Sequence, residues 1–315
     1  MKYPFRSVIA IGCFLVMATA CKSLPDTQFL KERYIAQTIS FSDAWGPISE
    51  KRTAATLEKL KSKSDANSIL DRHIALEQDI VGTPLVMGNK VSLLLDGPAT
   101  YQAMFAAINK ATDHINLESF TIEENDIGQQ FADLLIERQS NGVQVNLIYD
   151  SYGTLATSKS FFDRLMQAGV QVVEFNPINP SLIKKSWEPN KRDHRKLLII
   201  DGQTAFLGGI NISNAYSTGS SIRNHKKTAD QTKGWRDTDI QIEGPVVAEF
   251  QKLFIQTWYK QQGPALAQKN YFPKIASQGK EIVRAIGSTP DDSYSLIYLT
   301  LISAITNAQK QVYIT

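Results

Sequence analysis

The sequence predicts an α/β fold in which helices cover both faces of a β-sheet. Two observations support this prediction. Short apolar runs alternate with segments of helical periodicity from about residue 91 to residue 175. In addition, 43% of the 315 residues are hydrophobic and 21% are charged, which is enough apolar mass for one large or two modest cores. Strands that alternate with helices are typical of layered folds.

The first part of this pattern contains four predicted strands and three predicted helices. Pro98 favours the first turn of a helix, and Asn141-Gly142 favours the end of the next one. Phe162, Leu165 and Met166 give the third helix an inward face. In chain order we predict a strand at 91–95, a helix at 98–112, a strand at 114–122, a helix from about 127, a strand at 143–149, a helix at 159–167 and a strand at 170–175.

A hairpin and a further strand and helix follow. Asp201-Gly202 is a strong turn signal within a hairpin-like block at 196–207. A strand is predicted at 238–242, and Gly244-Pro245 opens a helix at 245–259 with one apolar side. Residues 261–279 are predicted to be a linker.

The first 20 residues are predicted to be a signal peptide. Lys2 and Arg6 precede an apolar run at 8–20, whose 13 residues are fewer than the roughly 20 that a membrane-spanning helix needs. The run ends before Cys21 in a pattern that resembles the bacterial lipoprotein signal, in which the cysteine is lipidated. Ala18 stands where that motif usually has leucine, so simple cleavage or an uncleaved anchor remain alternatives. Residues 22–80 are predicted to be a tether with a short helix.

The composition excludes several kinds of chemistry. Both cysteines, Cys13 and Cys21, lie at the N-terminus, so the rest of the chain has no disulfide framework, cysteine metal site or cysteine nucleophile. A formal net charge of +3 favours neither a nucleic-acid binder nor a strongly acidic partner. Any electropositive site must therefore be local.

A short internal repeat suggests a second structural unit. YLTLISAITNAQKQVYIT, residues 298–315, aligns without gaps on YQAMFAAINKATDHINLE, residues 101–118. The same helix-then-strand pattern would then open two units, although chance is the alternative for so short a match. If the repeat is real, residues 311–315 form the first strand of the second unit.

The segment RDHRKLLIIDG carries the clearest chemical signal. Side chains two residues apart in a strand point the same way, so His194 and Lys196 share a face. The four residues after Lys196 are apolar on both faces, and only the start of this strand can reach a cleft. Gly208-Gly209 permits a close backbone approach, and Asn211 follows it.

These residues match a known signature. His194-x-Lys196-x4-Asp201-x6-Gly208-Gly209-x-Asn211 resembles the HKD motif of the phospholipase D superfamily, and the flanking text resembles the bacterial cardiolipin synthases. The resemblance covers roughly residues 90–262. It implies a layered α-β-α phospholipase D-like domain with a mixed sheet over residues 81–262, and a linker with the start of a second such domain over 263–315. Members pair two halves around one active site.

The resemblance also implies roles for the motif residues. His194 is the candidate phosphohistidine nucleophile, or the acid that protonates the leaving alcohol, since an imidazole is partly deprotonated near neutral pH. Lys196 and Asn211 would stabilise the phosphate oxygens, with Gly209 beside them, and neither a metal nor a cofactor is expected.

Three aspartates complete the predicted site. Asp237, in WRDTDIQIEGP, is expected to hold the second nitrogen of His194, with Asp239 as the competitor on the same strand face. Asp201 belongs to the catalytic motif, but its position in a turn favours a structural or network role.

We therefore expect a phosphatidyl transferase that makes cardiolipin from phosphatidylglycerol, lipid-anchored in the bacterial cell envelope and facing the periplasm. Its partners would be an anionic phospholipid and the membrane, with no nucleic acid. The second HKD half would come from chain beyond Thr315 or from a second copy. Alternatives are a phospholipase D-type hydrolase, a nuclease, or a non-catalytic fragment or binding module.

Residues outside the motif receive ordinary interpretations. His73 and His114 are not expected to be catalytic. His225 lies among basic residues that are expected to form a solvated loop, with contact to anionic lipid as the alternative. Trp235 and Trp258 are expected either in the core or at a membrane interface.

Overall fold

The computed structural model describes residues 39–62, 74, 82–178, 188, 190–218, 234–290, 295–308 and 310–314. The predicted signal peptide, Cys21, much of the tether, His73 and His225 lie outside these ranges. Within them, no helix has both the length and the apolar character needed to cross a membrane. The same residues contain no cluster of three or more histidine, cysteine or acidic side chains that could hold a metal ion.

The described strands form one mixed sheet. They are β1 (Phe41–Asp43), β2 (Gly46–Pro47), β3 (Leu85–Leu94), β4 (His114–Ser119), β5 (Gln144–Asp150), β6 (Gln171–Phe175), β7 (Lys196–Ile200), β8 (Thr204–Gly208), β9 (Asp239–Glu243) and β10 (Glu281–Val283). Their order is β2-β1-β3-β9-β8-β7-β4-β5-β6, and β10 pairs with β3. Strands β4, β5 and β6 are parallel, whereas β4, β7, β8, β9 and β3 pair in antiparallel fashion. The sheet is therefore mixed, as predicted.

Helices cover both faces of the sheet. The described helices are α1 (Glu50–Lys61), α2 (Gly97–Lys110), α3 (Asp126–Ser140), α4 (Lys159–Gln167), α5 (Val247–Lys260) and α6 (Leu296–Asn307). Side chains of α2, α3 and α4 pack with Leu198 and Ile200 of β7. The alternate β7 residues, Leu197 and Ile199, pack with α5, where Trp258 is fully buried. This alternation confirms the predicted three-layer α/β fold.

Side-chain caps set where the site-bearing helices begin. Asp96 accepts a hydrogen bond from the backbone N–H of Ala99 at the start of α2, and Asn125 accepts one from Gly128 at the start of α3. Such caps satisfy backbone donors that the first helical turn leaves unpaired. The result is that α2 begins directly after β3, and α3 begins close to the end of β4.

Two predicted strands differ from the observed ones. The strand predicted at 91–95 begins earlier, at Leu85, because its first part pairs with β1 and β10 rather than with β9. The strand predicted at 114–122 ends at Ser119, opposite Lys196, where the pairing with β7 stops. Beyond that point Ile122 forms one isolated bridge with Ile212.

The described residues contain the helix that the repeat predicts but not the strand. Helix α6 occupies Leu296–Asn307, as the alignment predicts. The strand predicted at 311–315 is absent from the described residues 310–314, where Tyr313 and Ile314 are 81% and 83% exposed. A strand requires a neighbour for its backbone hydrogen bonds, and no described strand lies beside this segment.

Candidate active site

The sheet register brings four parts of the chain to one end of the sheet. Lys196 at the start of β7 lies opposite Ser119 at the end of β4. Gly208 at the end of β8 lies opposite Asp239 at the start of β9. A cavity of about 530 Å³ opens there. It is lined by Phe120, Thr121, Glu123, His194, Lys196, Gly208, Gly209, Asn211, Ser213, Ala215, Tyr216, Trp235 and Asp237.

His194 and Lys196 face this cavity together. Lys196 Nζ lies 3.2 Å from His194 Nδ1 and donates to the backbone oxygen of His194 at 2.8 Å. The Phe120 ring packs against the imidazole with 4.5 Å between centroids, and Lys196 Nζ lies 5.3 Å from the Phe120 centroid. The shared face predicted from strand periodicity is therefore present, with an aromatic ring supporting both groups.

The surroundings change the acidity of both groups. Burial, and then the Lys196 charge, lower the pKa of His194 below its usual value. The imidazole is therefore neutral near pH 7 and has a lone pair available. Burial also lowers the pKa of Lys196 to about 8, against the opposing effect of several nearby carboxylates. Lys196 therefore keeps its charge near pH 7 and loses it as the pH rises through 8.

Among the described residues, no carboxylate hydrogen-bonds to the His194 ring. Within the described residues, Lys196 is the polar partner of the His194 ring, and neither Asp237 nor Asp239 hydrogen-bonds to it. Asp239 instead accepts from the backbone N–H of Ile210 at 3.0 Å, because β9 begins beside the end of β8. Burial raises the pKa of Asp239 to about 6. Asp237 lines the cavity, and both carboxylates act on the charge of Lys196.

The glycine pair makes room for these carboxylates. A Cβ atom at Gly208 would lie 2.1 Å from Asp239 Oδ1. A Cβ atom at Gly209 would lie 3.0 Å from Asp237 Cβ. The close approach predicted at Gly208-Gly209 is thus made by the two aspartates, and Gly209 also lines the cavity.

Asn211 is buried and links two walls of the cavity. Its Oδ1 accepts from the backbone N–H of Thr121 at 3.2 Å, and its Nδ2 donates to the Tyr216 hydroxyl at 2.9 Å. An amide nitrogen carries two hydrogens, so one N–H is left after this bond. Asn211 therefore orients its neighbours and retains one donor.

Asp201 lies at the opposite end of β7 and does not line the cavity. Its backbone has a positive φ of 53°, which suits the predicted turn. Its carboxylate accepts from the backbone N–H groups of Thr112, Asp113 and His114 at 2.9, 2.9 and 3.0 Å. The structure therefore separates Asp201 from the other motif residues and shows it tying the β7–β8 hairpin to the start of β4.

Sequence reasoning missed a buried carboxyl pair behind His194. Glu118 is fully buried in β4, and its Oε1 accepts from Arg195 at 3.2 Å. Its Oε2 has no donor among the described residues, but Glu118 interacts with the side chain of Asp193. Burial first, and then Asp193, raise the pKa of Glu118 well above its usual value. A lone acidic residue in the apolar strand HINLES was the available signal.

Two tryptophans have different environments. Trp258 is buried in the core, where its Nε1 donates to Pro264 O at 2.8 Å. Trp235 is 67% exposed and lines the cavity, with its ring centroid 6.4 Å from that of Tyr216. Burial excludes a membrane interface for Trp258, and this interpretation stays a prediction for Trp235.

Comparison with known proteins relates part of the chain to a known domain family. Residues 104–258 match the family described as "Cardiolipin synthase, PLD-like domain". The chain is 31% identical over 259 residues to a cardiolipin synthase of Alkalihalophilus pseudofirmus, covering 82% of this chain and 49% of that protein. It is 34% identical over 238 residues to cardiolipin synthase A of Pseudomonas putida, covering 74% and 46%. The chain thus spans about half the length of these relatives.

A solved structure gives a weaker match. Nuc from Salmonella typhimurium, described as a phospholipase D family member, aligns with 57% of this chain and 99% of its own, with 15% sequence identity and a TM-score of 0.40. The assignment rests on the HKD spacing, the family match and the sequence relatives. Residues 104–258 of the chain therefore form a phospholipase D-like domain.

Proposed function

We propose that the protein is a phosphatidyl transferase that makes cardiolipin from phosphatidylglycerol through a covalent intermediate on His194. The observation that carries the proposal is the neutral imidazole beside the Lys196 ammonium at the wall of one cavity. Relatives named cardiolipin synthases support the lipid substrate.

Binding of the donor phosphate would free the nucleophile. Lys196 Nζ lies 3.2 Å from Nδ1 of His194, where it limits access to that nitrogen. A phosphate oxygen that binds Lys196 Nζ would replace this contact. The remaining N–H of Asn211 is a second donor for the same phosphate. These two donors would stabilise the charge that develops on phosphorus-bound oxygens.

The reaction then proceeds in two displacements. His194 attacks phosphorus, an N–P bond forms, and the P–O bond to the donor's glycerol breaks as that glycerol takes a proton from a general acid. In the second step the hydroxyl of another phosphatidylglycerol gives a proton to the same group, its oxygen bonds to phosphorus, and the N–P bond breaks. One imidazole cannot serve as nucleophile and acid in the same step.

The general acid is proposed to come from a second HKD half. The relatives are about twice as long as this chain, and helix α6 lies where the internal repeat predicts a helix. Further chain or a second copy would supply that half. We also propose a lipid anchor at Cys21 that holds the protein at a membrane of the bacterial envelope and faces the periplasm, as the N-terminal pattern indicates.

Labelled phosphatidylglycerol in vesicles tests this function. The full-length protein should convert it to cardiolipin and release glycerol, whereas His194→Ala should form no product and keep its circular dichroism spectrum. His225→Ala, at a histidine outside the motif, is the matched control and should remain active. Phosphatidic acid as the sole product would identify a hydrolase, and equal activity of His194→Ala would contradict the mechanism.

A further inference from the structure

His194 and Lys196 are held in place by different parts of the structure. Lys196 is the first residue of β7, and its pairing with Ser119 of β4 fixes its backbone. His194 lies two residues before β7 and outside the pairing of β7 with its neighbours. A nucleophile has to approach phosphorus at a defined distance and angle. Contacts other than strand pairing therefore have to orient His194.

Asp150 holds the backbone directly before His194. Asp150 is the last residue of β5, and its side chain is fully buried. Its Oδ2 accepts from the backbone N–H of Asp193 at 2.8 Å, and its Oδ1 lies 3.6 Å from Arg192 Nη1. One carboxylate therefore contacts both of the residues that precede the nucleophile.

The same carboxylate shapes the turn beside the imidazole. Asp150 Oδ1 accepts from the backbone N–H groups of Tyr152 and Gly153 at 2.8 and 3.1 Å. Gly153 lies against Phe120, since a Cβ atom at this glycine would lie 2.0 Å from Phe120 O. The Phe120 ring packs on His194 with 4.5 Å between centroids. Asp150 thus reaches the nucleophile by two routes, through the backbone before it and through the ring that supports it.

These contacts suit a carboxylate. Burial raises the pKa of Asp150, whereas the three backbone N–H groups and Arg192 oppose this shift. Both oxygens of a carboxylate accept hydrogen bonds, so donors can be satisfied on either side. The side-chain amide of Asp150→Asn would place N–H groups at one of the two oxygen positions, where a backbone N–H already points.

We propose that Asp150 is a positioning residue for His194. This role rests on the proposed phosphatidyl transfer and identifies what orients its nucleophile. Asp150 does not line the cavity, so it affects the reaction only through other residues. Because strand pairing fixes Lys196, the phosphate contact remains when Asp150 is replaced, and the attack on phosphorus slows.

The test separates substrate binding from chemistry. The full-length protein is assayed with phosphatidylglycerol in detergent micelles, and kcat and KM are measured for the parent, Asp150→Asn and the matched control Asp43→Asn. Asp43 ends β1, accepts from the backbone N–H two residues later and pairs with an arginine, as Asp150 does, but it lies away from the cavity. Circular dichroism gives the folded fraction of each variant.

Asp150→Asn should lower the kcat of the folded fraction about 10²-fold, the cost of displacing a reacting group by about 1 Å. KM should stay within about 3-fold of the parent, since the ground-state contacts remain. Asp43→Asn should leave both constants unchanged. Phe120→Leu tests the second route in a chain that keeps every bond of Asp150, and it should lower kcat by about 10-fold.

An unchanged kcat in Asp150→Asn or in Phe120→Leu, or a loss confined to KM, would overturn the positioning role. An equal loss of kcat in Asp43→Asn would overturn it too, because the effect would then follow any lost carboxylate bond. A parent protein that forms no cardiolipin would instead contradict the proposed function.

Discussion

The two ends of β7 carry different parts of the same motif and serve it differently. At one end, His194 and Lys196 meet in an open cavity, where burial lowers the pKa of both. At the other end, Asp201 accepts from three backbone N–H groups and from the Thr112 hydroxyl. The five residues of β7, Lys196–Ile200, set the distance between the two ends. The two groups with lowered pKa values, His194 and Lys196, are therefore at the cavity end. The carboxylate with three backbone donors, Asp201, is at the structural end.

Of the variants at the two ends of β7, the one that removes the Lys196 ammonium should have the largest effect on activity. Lys196→Met should lower kcat/KM about 10²- to 10³-fold, because a fixed charge beside the phosphate is lost. The free energy of unfolding should not fall, since burial already disfavours the charge, as the lowered pKa of Lys196 shows. Steady-state kinetics and urea unfolding measure the two effects. If Lys196→Met were destabilised but fully active, Lys196 would have a structural role and not a catalytic one.

Asp201→Ala should show the opposite behaviour. Its carboxylate holds the start of β4, so its loss should lower the free energy of unfolding by about 1–3 kcal/mol. The kcat of the folded fraction should stay close to that of the parent. Asp163→Ala, which removes an exposed pair with Lys159, is the control and should change stability by less than about 0.5 kcal/mol. A large loss of kcat without destabilisation would place Asp201 in the reaction.

The pH dependence of kcat/KM tests the charge of Lys196 at the cavity end of β7. Lys196 has a pKa of about 8, so kcat/KM should fall as the pH rises through 8 and the ammonium loses its proton. Arginine stays protonated throughout this range, so Lys196→Arg should abolish this basic limb while lowering the maximum. A basic limb that persists unchanged in Lys196→Arg would assign it to another group.

The smallest effect concerns the carboxyl pair beneath His194. The pKa of Glu118 is raised by burial first and then by Asp193, whereas Arg195 and Thr257 oppose the shift. The folded protein therefore holds this proton when the unfolded chain has released it, so stability decreases as the pH rises above the usual value of 4.5.

Glutamine cannot ionise, so the free energy of unfolding of Glu118→Gln should rise relative to that of the parent with increasing pH. Urea unfolding between pH 4 and 8 measures this difference, and Glu137→Gln, at an exposed glutamate, is the control. A difference that does not change with pH would contradict the raised pKa of Glu118.

The sequence predicted which motif residues share a strand face and which lie in a turn, because strand periodicity and turn chemistry depend on local sequence. Lys196 and His194 lie on one face as the two-residue period requires, and Asp201 occupies the turn that Asp-Gly favours. The helix of the repeat, Leu296–Asn307, was also predictable from its spacing.

The electrostatic partners were not predictable, because they depend on strand order. Asp239 contacts Ile210 instead of His194, since β9 pairs with β8 in a register that no local pattern encodes. Glu118 meets Asp193 only because β4 lies beside β7, although the two strands are far apart in the chain. The early part of β3 was missed for a similar reason, since its partners are β1 and β10.

The central claim is that phosphorus becomes covalently attached to His194 during turnover. The most direct measurement is to mix the full-length protein with phosphatidylglycerol, quench within the first turnover at alkaline pH, which preserves phosphohistidine, and analyse its peptides by mass spectrometry. We predict a phosphatidyl adduct on the peptide that contains His194, absent from His194→Ala and lost once the phosphatidylglycerol has been consumed. Turnover with the His194 peptide unmodified at every quench time, and the adduct on another residue, would contradict the account.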